Sequence, residues 1–314
     1  MTHHSSLITR LRFAGYSPPD SVYSAAARRF KELVEAGSGG RIEVDLFWNV
    51  LDFGYSAEQL IRMVESGLLS GCYMSTSYLA ERSPRLGIFD LPFLITTRVQ
   101  AFKMLDGPLG AAMAEELEAT SGLKHLGYWE NGFRHLSNAR RPVRAPADLA
   151  GLRIRLQPNA LHQRAFRLLG AEPVLTDVAD LVEALRVGRA DGQENPLDNI
   201  WTYGVYRYTT YLTLTGHLYG VRGMYLNRVW FEGLAPELQA VVAAAGRQAT
   251  AEQRTMAATR DAAMRAKLEQ HGVEVVDLSP DELDAFRQRV RPLYAEAAQT
   301  LGLDLLDRVR AASA

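Results

Sequence analysis

Gly151-Leu152-Arg153-Ile154-Arg155-Leu156 and, further on, Asp191-Gly192-Gln193-Glu194-Asn195-Pro196-Leu197-Asp198-Asn199 decide how this chain reads. Leu152, Ile154 and Leu156 alternate with Arg153 and Arg155, the period of a strand with one buried face. Pro158 breaks that strand. Ala160 to Leu169 reads as a helix closed by Gly170. A second unit repeats the pattern: Glu172 to Leu175 is extended, Thr176 is a cap, and Asp177 to Val187 is helical as far as Gly188. Asp191 to Asn195 is then a polar turn leaving a short strand. The order β–α–β–α–β gathers several strand ends at one edge of a sheet, where open α/β sheets bind their ligands.

Working outward, Leu11 to Ala14 reads as a first strand, with Tyr16 in the loop that follows. Val22 to Ala36 is helical behind an Asp20 or Ser21 cap, and Ile42 to Phe47 alternates as a second strand. Trp48, Phe53 and Tyr55 sit in the next loop. Ser56 and Gln59 form a capping box for a helix to Ser66. Gly71 to Thr76 is a third strand. Arg98 to Thr120 is helical with a break at Gly107-Pro108, and Lys124 to Trp129 is a strand. The polar stretch Ala139 to Ala147 reads as a crossing between two parts of the molecule. Tyr211 to Thr215 and Arg222 to Asn227 read as two separate strands. Pro236 to Gln270, rich in good helix formers, would make a helix about 50 Å long. Ser279, Pro280 and Glu282 then start another with a capping box and a proline at its first position.

The chain has 314 residues, 47% of them hydrophobic, enough for one or two domains with a sizeable core. With 35 basic and 36 acidic residues, no excess charge points to nucleic acid or anionic lipid. Cys72 is the single cysteine, so no disulfide forms within the chain and no thiolate metal cluster is available. No apolar run reaches the roughly 18 residues of a membrane span. The seven histidines form no His-x-x-x-His with an acidic neighbour. There is no Gly-x-Ser-x-Gly, no Walker lysine loop and no Gly-x-Gly-x-x-Gly. Nothing in the sequence supplies an enzyme mechanism.

Taken together, Gly151 to Arg155 and Asp191 to Pro196 resemble the solute-binding proteins of tripartite ATP-independent periplasmic (TRAP) transporters. Three further stretches carry the same resemblance: Ser38-Gly39-Gly40-Arg41-Ile42-Glu43-Val44, Phe89-Asp90-Leu91-Pro92-Phe93, and Gly132-Phe133-Arg134-His135-Leu136-Ser137-Asn138. Tyr211-Leu212-Thr213-Leu214-Thr215 with His217 agrees. The likeness covers about residues 10 to 310 in the family's order. It implies an α/β, two-lobed periplasmic-binding-protein-like fold with hinge strands and a long helix spanning both lobes. The first lobe is expected at 10–130 with roughly 212–255, and the second at 131–211 with roughly 220–240. The C-terminal helices of 255–314 would pack across both.

The resemblance also implies a receptor that captures a small organic acid between the lobes and delivers it to a membrane permease, without cofactor or metal. A sensor subunit for a signalling partner, using the same pocket, is the alternative. A monomer is expected. The family is exported, whereas Met1-Thr2-His3-His4-Ser5-Ser6 lacks the basic-then-apolar layout of a secretory signal. The expectation is a periplasmic protein numbered without its leader.

Periodicity puts Arg153 and Arg155 on one face and does not choose between them. The family's carboxylate-binding arginine falls on Arg155, whose planar paired donors match a carboxylate. Asn195, held extended by Pro196, is either an ordinary turn residue or, as in the family, an amide donor to the same carboxylate. Gln193 and Glu194 read as its support. Arg134 is either half of a cross-lobe salt bridge or a second ligand contact. Tyr16, Trp48, Phe53, Tyr55, Ser75, Thr76, Tyr78 and Tyr219 are wall candidates, with core packing as the alternative for each aromatic. Val178 stands where many relatives carry a phenylalanine over the ligand. Trp48, Phe53 and Tyr55 together lead to the expectation of a monocarboxylate with an apolar or aromatic body.

Overall fold

The computed structural model describes residues 8–302. The N-terminal residues 1–7, read above for a leader, and 303–314, expected among the C-terminal helices, lie outside them. The first half alternates strand and helix: β1 (Thr9–Ala14), α1 (Val22–Gly37), β2 (Ile42–Phe47), α2 (Ala57–Glu65) and β3 (Gly71–Ser75). β1 pairs in parallel with both β2 and β3. Ser21 caps α1 by accepting from Ser24 N, and Ser56 and Gln59 close a capping box on α2. Helices α3 (Arg98–Asp106) and α4 (Pro108–Thr120) divide at Gly107-Pro108, because proline cannot continue the preceding helix. β4 (Leu123–Asn138) follows.

The second half holds β5 (Arg153–Leu156), α5 (Ala160–Leu168), β6 (Glu172–Leu175), α6 (Leu181–Arg186), β7 (Gly192–Asn195) and α7 (Leu197–Thr202). β8 (Tyr211–Asn227) returns, followed by α8 (Arg228–Glu232), α9 (Pro236–Gln270), β9 (Glu274–Val276), α10 (Pro280–Val290) and α11 (Pro292–Leu301). All nine strands lie in one sheet, in the order β2-β1-β3-β8-β4-β7-β5-β6, with β9 beside β8. β5 runs parallel to both β6 and β7.

Two differences from the sequence reading concern the middle of this sheet. β4 and β8 are single strands of 16 and 17 residues, paired antiparallel along their length. They join the two halves: Ser75 of β3 pairs with Arg222, and His135 of β4 pairs with Asn195 of β7. The stretch Ala139 to Ala147 is therefore not the crossing. It stays with the second half, where Ala139 N donates to Asp191 O at 2.9 Å and Thr213 Oγ1 to Val143 O at 2.9 Å. Residues 222–226, which both expected lobe ranges (roughly 212–255 and roughly 220–240) include, pair with β3 of the first half. β8 looked like two strands because Gly216 (φ 51°) and Gly220 interrupt its alternation. Cross-strand pairing holds it together, and Gly216 N donates to His135 Nδ1 at 3.0 Å.

Register shifts at His125/Gly127, Glu130/Gly132 and Arg134/Leu136 mark bulges in β4, which bend a strand and free its backbone groups. At the second bulge Gly132 takes φ 100°, a conformation that costs glycine nothing. The backbone groups of Glu130 are met by the long helix instead. Gln253 of α9 accepts from Glu130 N and donates to Glu130 O, both at 2.8 Å. One residue on, Arg254 Nε donates to Tyr128 O at 2.9 Å and its Nη atoms pair with Asp106. The helix read from composition alone is thus fastened to the strand that joins the halves. A large core runs through the first half and part of the second, and a smaller one lies under α6, α7 and the end of α9.

Candidate ligand-binding site

The strand ends of the two halves meet around a narrow cleft with only about 20 Å³ of free cavity. Tyr16 and Tyr78 enter it from the segments after β1 and β3, Ser75 from the end of β3, and Arg222 from β8. Asn131 and Arg134 come from β4, and Arg155 and Gln157 from the end of β5. Val178, Asn195, Asn199 and Tyr203 complete the wall. A surface groove of about 360 Å³ between α5 and α11 is larger. Its wall is mainly apolar, and its charged residues Arg164 and Glu296 already pair with each other. Convergent polar groups, not size, single out the narrow cleft.

Arg155 is 2% exposed. Its Nε donates to Thr176 Oγ1 at 3.1 Å and its Nη2 to Thr176 O at 2.6 Å. Among the described residues, no carboxylate forms an ion pair with it. Arg153, on the same strand, faces outward and pairs with Asp191 at 2.9 Å. Hydrogen bonds from Arg153, opposing the effect of burial, hold the Asp191 carboxyl well below the usual carboxylate range. The two arginines that periodicity left equivalent are separated by tertiary contact: one is neutralised at the surface, the other is buried in the cleft.

Arg134 borders the cleft but its donors are engaged. Nε and Nη2 grip the Glu194 carboxylate, and Nη2 also donates to Glu194 O at 2.7 Å. Burial alone would raise the Glu194 pKa. The Arg134 charge and its hydrogen bonds, with His217 close by, outweigh it and keep the group ionised. His217 Nε2 stands 3.4 Å from the same carboxylate, and burial pushes its pKa down.

An amide chain stiffens the floor. Gln193 donates to Ser137 Oγ at 2.8 Å and accepts from Asn195 Nδ2 at 2.5 Å. Asn199 Nδ2 donates at 3.2 Å to Asn195 Oδ1 and at 3.2 Å to Asn131 Oδ1, which also accepts from Tyr23 OH at 2.6 Å. An amide nitrogen carries two hydrogens, so Asn195 retains one beyond its bond to Gln193. The halves also touch directly over the cleft. Val178 N donates to Tyr78 OH at 3.2 Å, Ala57 N to Asp177 Oδ1 at 3.1 Å, and Ser17 Oγ meets Tyr203 OH at 3.1 Å.

Seven candidates from the sequence meet here: Tyr16, Ser75, Tyr78, Arg134, Arg155, Val178 and Asn195. Trp48, Tyr55 and Tyr219 do not line the cleft, nor do Phe53 and Thr76. β2 is the edge strand, so the loop behind it hangs at the rim of the sheet. Trp48 lies under the Arg28 guanidinium, 5.0 Å from ring centre to Cζ, while Phe53 and Tyr55 are 68% and 43% exposed. Tyr219 precedes Arg222 by three positions and so faces the other side of β8, packed edge-on against Phe133. The aromatic wall expected from Trp48, Phe53 and Tyr55 is therefore absent from the cleft.

Sequence reading passed over Asn131, Gln157, Asn199, Tyr203 and, above all, Arg222. Arg222 is 2% exposed, and its Cζ lies 3.6, 4.6 and 5.5 Å from the ring centres of Tyr23, Tyr16 and Tyr73. Nη1 donates to Ser17 Oγ at 3.2 Å, and Nε has no partner among the described residues. The available signal was an arginine inside Val221-Arg222-Gly223-Met224-Tyr225, an otherwise uncharged run, since arginine is almost never fully buried unless paired. Among the described residues no group of three or more histidine, cysteine, aspartate or glutamate side chains is placed to hold a metal ion.

Residues 13–300 match the family described as bacterial extracellular solute-binding protein, family 7. The chain belongs to that family. Family 7 members are solute-binding proteins of TRAP transport, not enzymes, and are built of two lobes. One relative, the 2,3-diketo-L-gulonate-binding periplasmic protein YiaO of Escherichia coli, is 32% identical over 301 residues, 95% of this chain and 90% of that one. The sugar acid binding protein DctPAm of Advenella mimigardefordensis, solved with galactonate, superposes with a TM-score of 0.93 at 32% identity, covering 97% of each chain. A TRAP periplasmic solute binding protein of Sulfurospirillum deleyianum with bound succinate gives 0.92 at 26% identity, covering 97% of this chain and 99% of that one. Among the described residues no helix is long and apolar enough to cross a membrane.

Proposed function

We propose that this family 7 protein works in the periplasm as the monomeric receptor of a TRAP transporter, capturing a small organic acid in the cleft and delivering it to the membrane permease. The observation that carries this reading is Arg155: a buried guanidinium facing a polar cleft, with no carboxylate of its own among the described residues. A permanently charged fork of this kind is satisfied by a ligand carboxylate held bidentately. Thr176 sets its orientation. Asn195 donates its remaining amide hydrogen to the same ligand group. Arg134 acts through Glu194 and His217, and Tyr16, Ser75, Tyr78 and Val178 shape the walls. The first lobe comprises the β1–β3 half with the end of β8, and the second the β5–β7 half, with α9 bridging them. Ligand contacts with both lobes favour the closed arrangement, because only differential contacts shift such an equilibrium.

A thermal-shift screen of sugar acids, hydroxy acids and short dicarboxylates tests this reading. A ligand for the folded state raises the midpoint, by about 2.7 kcal/mol of stabilisation at a hundred times Kd. Small-angle scattering with the best acid should show a smaller radius of gyration. A panel without any responder, or an unchanged radius at saturation, argues against the proposal.

A further inference from the structure

We propose that Gln157 is a selectivity residue of the cleft whose sense is fixed by His162 and, behind it, Asp90: its side-chain oxygen, not its nitrogen, is offered to the ligand, so the cleft tells an acid with a hydroxyl beside its carboxylate from one without. This rests on the organic-acid reading above and adds how the group next to the carboxylate is judged.

The orientation follows from three buried side chains. Asp90 accepts from Ser77 Oγ, from Asn159 Nδ2 at 2.9 Å and from His162 Nε2 at 3.0 Å. A carboxylate only accepts, so the single hydrogen of the neutral His162 ring is on Nε2 and Nδ1 is left as an acceptor. Gln157 Nε2 stands 3.4 Å from Nδ1 as its donor. Asn159 holds the ring in place by accepting from His162 N at 3.0 Å at the start of α5. The tautomer of His162 therefore fixes which way round the Gln157 amide lies. Gln157 lines the cleft, and among the described residues no donor reaches its Oε1, which keeps open surface.

That oxygen is an acceptor on a wall where Arg155, Asn195 and Arg222 offer donors. Arg155 and Gln157 are two positions apart at the end of β5, about 6.6 Å at strand spacing, so a small acid held by Arg155 is within reach of the amide. A hydroxyl next to the carboxylate donates to Oε1. A carbonyl there sets lone pair against lone pair, and a methylene leaves the oxygen unpaired. A site arranged for one hydrogen bond rejects ligands that cannot make it. Turning the amide round gives no relief, because Oε1 would then face the lone pair of His162 Nδ1. Asp90 and Ser77 belong to the first half, Gln157 and His162 to the second, so this setting holds while the halves are together.

Nitrogen-15 labelling of histidine in the whole chain tests the orientation without a ligand. At about pH 8 the ring shifts should show His162, assigned by its loss in His162→Gln, as the neutral Nε2–H tautomer. An Nδ1–H ring or an imidazolium refutes the proposal. Titration calorimetry then compares lactate with pyruvate and galactonate with 2-deoxygalactonate. We expect the hydroxy acid of a pair to bind at least about tenfold tighter. His162→Phe, which frees the amide to turn, and Gln157→Met, which removes the oxygen, should each shrink that ratio to within about threefold. His162→Gln can still donate to Asp90 and accept from Gln157, and should keep part of the ratio, which a role in packing alone would not. Binding that Arg155→Ala abolishes, with a wild-type ratio near one or a ratio unchanged by Gln157→Met, overturns the Gln157 assignment and leaves the receptor reading standing. Failure of all four acids overturns both. If His162→Phe does not fold, as judged by circular dichroism, the ring shifts and the Gln157→Met ratio decide.

Discussion

Truncating Arg155 is the perturbation whose outcome follows most directly from the cleft. The guanidinium is 2% exposed, its two hydrogen bonds go to Thr176, and among the described residues it has no carboxylate partner. A bound carboxylate would supply its counter-charge in a desolvated setting. Breaking such a pair costs about 2–5 kcal/mol, which at about 1.4 kcal/mol per decade is roughly 1.5 to 3.5 decades in Kd. Stability should respond differently. Removing a buried charge that has no counter-charge relieves desolvation as well as losing hydrogen bonds, so the ligand-free melting midpoint should fall little. Arg153→Ala is the internal control. Its partner Asp191 lies outside the cleft wall and its side chain is 38% exposed, so affinity should stay within about threefold. Arg155→Lys should fall between, since a point charge replaces a fork. Calorimetric titration at constant pH and salt, with the best acid from the screen, measures all three. Equal losses for Arg153→Ala and Arg155→Ala, or Arg155→Ala within threefold of wild type, would refute the reasoning.

Two further outcomes concern the scaffold. Asp90 accepts from Ser77 in the first half and from Asn159 (2.9 Å) and His162 (3.0 Å) in the second. Asp90→Ala should cost about 1–3 kcal/mol for the buried donors left unpaired and enlarge the ligand-free radius of gyration. Unchanged denaturant midpoint and radius would show that it is no latch. Stability should also decline from pH 7 to pH 5. Burial pushes His125 and His135 down to about 3. The unfolded chain therefore binds more protons, and the stability they contribute is full above about 6.5 and lost as pH falls toward 3. Glu130 opposes them: burial pushes it up to about 7, so its contribution is lost as pH rises from about 4.5. His217, also pushed down by burial, acts with the two histidines, and Asp198 and Asp261, pushed up by burial from 3.8, act with Glu130 but begin to titrate at lower pH. The midpoint should therefore fall on acidification, and His125→Phe should make the slope shallower by nearly one proton. A midpoint that is flat or rising from pH 7 to pH 5 would contradict this.

Local chemistry was enough to place most elements. The alternation of Leu152, Ile154 and Leu156 defines β5, and the capping boxes at Ser56 and Ser279 start α2 and α10 where the sequence puts them. Helix formers without interruption give α9 its bounds at Pro236 and Gln270. These features depend on neighbours within a few positions, and a single sequence contains them. What only the tertiary structure decided depends on partners far along the chain. β8 is one strand because β4 pairs with it across Gly216 and Gly220, which local pattern reads as a break. Arg134 is occupied because Glu194 folds beside it, 60 positions away. Arg153 and Arg155 have the same periodicity and differ only in what lies opposite. Trp48, Phe53 and Tyr55 sit in a loop of the expected kind, yet β2 ends at the edge of the sheet and carries them away from the cleft. Arg222 looked like a strand residue. Its tyrosine cage is assembled from β3, α1 and the loop after β1, so its place beside the cleft exists only once those segments have packed.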